Sequence, residues 1–299
     1  MHCSVPIILD FLEYLLDKGL TPSTLKVYMA AISCYHVRVD NSTVGSHYLV
    51  SQFFKGAQRD RPQRAPRSPS WDLNVVLSAL CGPPFEPMAQ AELKWLSYKT
   101  AFLLAITSAK RVSELHALST SDTCLRWNPD GSGVTLWPNT AFLPKVLATA
   151  HLNQPIRLAQ FNPPPGEQTD QLKLCPVRAL RSYLGATTRI RRSEQLFLCH
   201  GGANKGHALS KQRLSHWVVD TITQAYHISN RPRPPGVHCH ETRSVSTSWA
   251  ALRGVPLEEI CAAASWTSAS TFSRFYRVNV ATPHPLGVVL LPETSDSTV

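Results

Sequence analysis

Residues 240–276 read HETRSVSTSWAALRGVPLEEICAAASWTSASTFSRFY, and the fold is decided by how this stretch is read. Its apolar residues recur at helical spacing in three blocks, over 241–253, 256–265 and 270–277. His240 and Arg243 stand three apart, so on a helix both face one side. A guanidinium stays charged at any relevant pH and gives a phosphate two parallel hydrogen bonds. Trp266 donates only through its indole N–H, enough for one phosphate oxygen. Tyr276 falls near the end of the last strong helix. A phenol ordinarily titrates near ~10, so nucleophilic attack at neutral pH needs neighbouring cations and a base such as His240. Taken alone, Tyr276 with Phe272 and Phe275 also reads as core packing, the usual role of aromatics at helical spacing.

Upstream, residues 108–115 read SAKRVSEL and supply a second arginine, Arg111. Glu114, three residues on, would hold Arg111 or an adjacent histidine in place, although such a pair alone is more often a helix-surface ion pair. Displacement at a phosphodiester builds negative charge on the non-bridging oxygens, so a site without metal needs fixed cations aimed at them.

The order R-x-S-E-L, H-x-x-R, a tryptophan and then a tyrosine resembles the catalytic motifs of the tyrosine recombinase, or phage integrase, family. The phrases GLTPSTLKVYMAAIS (19–33), KRVSELHAL (110–118) and STSWAALRGVPLEEICAAASW (246–266) look closest to the recombinases of DIRS-type retrotransposons. The resemblance implies a mainly α fold with a small antiparallel β-sheet (α+β). A helical, SAM-like core-binding domain would span 1–62, a linker 63–70 and the catalytic domain 71–299, the two domains clamping a DNA duplex. It implies DNA cleavage and rejoining through a 3'-phosphotyrosine on Tyr276 and a free 5'-hydroxyl. Arg111, Glu114, His240, Arg243 and Trp266 would serve the phosphate, with no metal, cofactor or ATP. Four protomers would pair two double-stranded DNA sites, exchanging C-terminal tails, and the element's DNA circle would be integrated in the nucleus. A catalytically silent DNA-binding descendant and a type IB topoisomerase-like relaxing enzyme are the rival outcomes.

Two departures from the pattern stand out. Trp266 and Tyr276 are ten residues apart where nine is common in the family, so one additional residue should lie between them. The family's lysine has no firm motif; Lys145, in Phe142-Leu-Pro-Lys145, is assigned as general acid, an exposed loop lysine being the alternative and Lys110 the next candidate.

Working outward, helical patterns at 5–18, 22–35 and 47–55 make a small N-terminal helical domain, with Gly19 as a stop and Thr21-Pro22 as a restart. The segment GAQRDRPQRAPRSPSW (56–71) holds three prolines and four arginines but almost no large apolar residue, and reads as an exposed linker. Candidate DNA contacts are Lys26 with Arg59, Arg61, Arg64 and Arg67, the linker arginines either solvated or following a phosphate backbone. Helices are expected at 72–80, 93–108, 112–118, 176–189 and 210–227. Strands are expected at 125–127 and 134–137, flanking the turn Asn128-Pro-Asp-Gly131, and at 155–161.

Composition agrees with this reading. A charge of +10 and a pI near 9.4 suit a polyanionic partner. No run of ~18 apolar residues offers a membrane span. The eight cysteines are scattered without C-x-x-C spacing, as expected of reduced, mostly buried thiols in an intracellular protein. His238, Cys239, His240, Cys199 and His200 match no strong zinc pattern, and the sparse carboxylates suit no two-metal site.

Overall fold

The computed structural model describes residues 2–39, 41–62, 68–144, 154–162 and 169–280. The chain divides into two compact units, Met1–Ala65 and Pro66–Val299.

The first unit holds α1 (Val5–Asp17), α2 (Pro22–Tyr35), a 3-10 turn (Val44–Ser46) and α3 (Tyr48–Asp60). Gly19 ends α1 at φ 90°, a conformation that favours glycine. Thr21 caps α2 by accepting from the Thr24 N–H at 3.4 Å, with Pro22 at the first helical position. The three helices bury Ile8, Leu12, Leu25, Met29 and Val50 in one small core. Each such side chain contributes roughly 1.5–3 kcal/mol. The third helix runs five residues beyond the expected 47–55, through Gly56 to Asp60. Ala57 is buried there, so the first residues of the segment read as a linker, for its prolines, arginines and lack of large apolar residues, instead pack as helix.

In the second unit come α4 (Leu73–Leu80), α5 (Leu93–Ser108), α6 (Val112–His116), β1 (Leu125–Trp127), β2 (Gly133–Leu136), β3 (Ile156–Ala159), α7 (Thr169–Lys173), α8 (Pro176–Thr187) and α9 (Lys211–Ile228). After them follow α10 (Glu241–Leu252), α11 (Leu257–Ala263), α12 (Ala269–Thr271) and a π-helical turn (Phe272–Tyr276). The strands form an antiparallel sheet in the order β1-β2-β3, and Gly131 takes φ 74° in the hairpin turn. This is the mainly α fold with one small antiparallel sheet that the sequence leads one to expect. Helix α7 was not anticipated; it has five residues, too few for a periodic signal.

Helix α5 is buried on nearly every side, which is why it lacks a polar face and serves as the hub for α8, α9 and α10. Its Lys99 is wholly buried and donates to the Leu80 carbonyl at 2.8 Å and to Glu86, whose carboxylate also receives two bonds from Arg178. A smaller cluster of Ala109, Ile260, Cys261, Ala264, Trp266 and Phe272 packs α11 and the π turn against the end of α5. Four cysteines are buried and Cys34 is exposed, so burial is less general than expected; all eight are free thiols.

Candidate functional site

Helix α5 stops at Ser108 because Ala109 turns left-handed at φ 51°. The chain reverses there and presents Lys110 and Arg111. Arg111 sits just before α6, and its backbone N–H donates to Glu114 Oε2 at 2.8 Å, satisfying a helix-end donor. The same carboxylate oxygen lies 3.7 Å from Arg111 Nη1 and 3.7 Å from Arg243 Nη1. Glu114 therefore stands between the two guanidinium groups, where either plain reading of the sequence had given it one partner.

Arg243 occupies the first turn of α10, with its side chain only 3% exposed. One end of its guanidinium donates to the Ala264 carbonyl, while Nε and Nη1 are buried without any hydrogen-bond partner among the described residues. Burial, and then the neighbouring Arg111, push Arg243 down to about 10, with Tyr276 and Glu114 acting in the opposite direction. The group thus stays charged at neutral pH. The indole Nε1 of Trp266 is likewise buried and unpartnered. Unmade hydrogen bonds at a buried cation cost more than at a neutral group, so these donors point to an anion that completes the site.

Tyr276 closes the arrangement. Its ring packs on Trp266 with centroids 4.4 Å apart, and the Arg243 guanidinium lies 4.8 Å from the indole and 5.2 Å from the phenol ring. The last helical stretch, expected as one regular helix over 270–277, is α-helical only to Thr271. It then widens into the π turn, whose Arg277 N–H donates to the Phe272 carbonyl at 2.8 Å. A π turn is how a helix takes up one extra residue, and here it lies between Trp266 and Tyr276. Phe272 is buried, but Phe275 is 71% exposed, so only the first packs a core. Ser248, buried on α10, holds the chain beyond Tyr276: its Oγ donates to the Tyr276 carbonyl at 3.4 Å and accepts the Val278 N–H at 2.9 Å. Nothing in the sequence marked this serine.

His240 immediately precedes α10 in helical conformation rather than lying within it, and is exposed. Its ring stacks on His238 at 5.3 Å, and Cys239 between them is buried. A cleft of about 560 Å³ is lined by Lys110, Arg111, His240, Arg243 and Tyr276. Tyr276 and His240 also border a second cleft of about 490 Å³.

The structure thus brings together Arg111, Glu114, His240, Arg243, Trp266 and Tyr276. Lys145, Arg64, Arg67 and 283–299 lie outside the described residues. In the first unit, Lys26 is exposed and borders a cleft with Lys55 and Gln58. Arg59 is exposed on the last turn of α3. Arg61, also a candidate DNA contact, is exposed and donates from Nη1 to the Leu16 carbonyl at 2.6 Å, which ties it to the end of α1. A sequence motif cannot show this, because the acceptor is backbone 45 residues away.

The arrangement of helices and sheet is that of the tyrosine recombinase catalytic domain. Among solved structures, the chain is similar to the Tn1549 transposon integrase in complex with a circular intermediate DNA, at 12% identity and TM-score 0.55, over 96% of this chain and 84% of that one. It is also similar to the XerH site-specific recombinase bound to a palindromic difH substrate, at 13% identity and TM-score 0.54, over 90% and 67%. A lambda integrase dimer bound to a COC' core site matches at 15% identity and TM-score 0.49, over 91% of this chain but 64% of that one, less than two thirds of its length. No family model and no curated protein matches the sequence. At these identities the likeness is one of fold.

Proposed function

We propose that this protein cuts and rejoins DNA strands, with Tyr276 as the nucleophile. The observation that carries the reading is the buried Arg243, whose Nε and Nη1 have no hydrogen-bond partner among the described residues, Nη1 only facing Glu114 across 3.7 Å, beside Trp266 Nε1 and against the Tyr276 ring. Fixed donors of this kind, close together and beside Tyr276, suit a phosphodiester, whose oxygens gain charge as a phenolic oxygen adds to phosphorus. In the step proposed, a bond forms from Tyr276 Oη to phosphorus and the bond to the 5'-oxygen breaks. The phenolic proton leaves to a base, a role suited to His240, which lines the same cleft as Tyr276, and the 5'-oxygen takes up a proton from an acid. The phosphotyrosine keeps the ester bond energy, so religation needs no ATP. Glu114 serves by holding both guanidinium groups rather than by touching the substrate.

The finer reading is integration of a DIRS-type retrotransposon circle in the nucleus. The sequence phrases around Lys26, Arg111 and Trp266 support it. Four protomers would act on two sites, the apolar segment 286–291 docking on a neighbour.

Incubation with a suicide duplex that traps the cut strand, followed by a denaturing gel, tests the chemistry. Wild type should form a covalent adduct, and Tyr276→Phe should form none while binding the duplex within about twofold of wild type, because only the hydroxyl is lost. DNA binding without adduct would make the protein a catalytically silent DNA-binding descendant. Relaxation of supercoils with no defined site would make it a topoisomerase.

A further inference from the structure

Among the described residues, Lys110 is the one buried lysine that lines the cleft, 7% exposed, and the chemistry proposed above gives it no part. Among the described residues, the hydroxyl of Ser265 is the hydrogen-bond partner of its ammonium, at 2.8 Å. That bond joins two loops 155 residues apart in sequence. One loop carries Arg111 and leads into α6, which carries Glu114. The other, between α11 and α12, carries Trp266, on which Tyr276 packs.

Both loops hold a non-glycine residue in the left-handed region, Ala109 at φ 51° and Ser265 at φ 54°. Such a residue costs of order 1–3 kcal/mol and persists only where its surroundings over-determine it. The surroundings here are shared. Ala109 lies in one apolar cluster with Ala264, Trp266 and Phe272, Arg243 donates to the Ala264 carbonyl, and Lys110 reaches Ser265. Lys110 is also an expensive choice for mere packing. Burial pushes its ammonium down, and Arg243 and Arg111 push it further against the pull of Glu114. A methionine would fill the same space without that cost.

We propose that Lys110 and Ser265 form a buried latch that fixes the Trp266–Tyr276 segment against the arginine-bearing loop, making Lys110 a positioning residue for the nucleophile. The latch rests on the DNA-cleaving function proposed for the same site. It predicts that breaking either partner lets Tyr276 drift from its place over Arg243 without touching the groups that bind the phosphate. A displacement of about 1 Å is enough to slow a positioned reaction by roughly 10²-fold.

The test uses the full chain with Lys110→Met, Ser265→Ala, the double variant, and Ser265→Asn, which tolerates the left-handed backbone and keeps an acceptor for the ammonium. Hydrogen exchange over 264–276 is read on the free protein; duplex affinity and single-turnover adduct formation are read on the suicide duplex. Lys110→Met and Ser265→Ala should each speed exchange over 264–276 and slow adduct formation by about 10- to 100-fold at unchanged affinity. The double variant should be no slower than the worse single one, and Ser265→Asn should recover most of the rate. Unchanged exchange in Lys110→Met overturns the latch, as do effects that multiply in the double variant. A loss confined to affinity overturns it as well, by making Lys110 a phosphate contact. A wild-type chain that forms no adduct overturns the DNA-cleaving function and with it this role, whereas a normal wild-type adduct with indifferent variants overturns the latch alone.

Discussion

Arg243 concentrates the electrostatics of the site in one side chain, because its planar fork meets Ala264, Glu114, Trp266 and Tyr276 at once while Nε and Nη1 make no hydrogen bond among the described residues. A lysine keeps the charge and loses the fork. Arg243→Lys should therefore reduce single-turnover adduct formation by about 10²–10³, the range for one transition-state donor, with duplex affinity far less affected. Equal rates for variant and wild type would remove Arg243 from the chemistry. Glu86 makes the contrasting case of a charge that serves stability alone. Burial raises its carboxyl, but the bonds from Arg178 and Lys99 outweigh burial and hold it below the ordinary 4.5. Its contribution is thus present above that value and is lost as pH falls through the lowered one. Glu86→Ala strands the buried Lys99 and should cost about 3–5 kcal/mol in denaturant unfolding, with a shallower acid transition than wild type below pH 4.5.

At the scale of elements, the π turn over Phe272–Tyr276 carries Tyr276, the proposed nucleophile. It lets ten residues span the distance from Trp266 to Tyr276 while the phenol still packs on the indole. Ser273 is exposed within it. Deleting Ser273 should convert the π turn to an α turn and keep Tyr276 against Trp266, so adduct formation should stay within about tenfold of wild type. Complete loss in a variant that unfolds at the wild-type temperature would mean that the π geometry itself aims the hydroxyl.

Across the whole molecule, duplex binding should weaken linearly in log salt, by a slope of about 0.9 per phosphate neutralised. Two arginines at the end of the first unit make this specific. Both are exposed, but Arg61 also donates to the Leu16 carbonyl. Arg59→Gln should lower the slope by about 1; Arg61→Gln should leave the slope alone and lower the melting temperature. The reverse pattern would exchange their roles.

The sequence by itself determined most of the helices and the three strands, because periodicity, caps and turn residues act between near neighbours, and the resemblance of its motifs singled out Arg111, Glu114, His240, Arg243, Trp266 and Tyr276. Thr21-Pro22 starting α2 and Gly131 closing the hairpin are of this local kind. Only the tertiary structure decided that α3 runs on through Gly56, that Arg61 closes a helix, and that Glu114 lies between two arginines. It alone revealed that Ser248 bonds the chain on either side of Arg277 and that Ser265 bonds Lys110. Each depends on a partner far along the chain, commonly a backbone carbonyl or a plain serine hydroxyl. Such groups leave no mark in the sequence until folding brings them within hydrogen-bond reach.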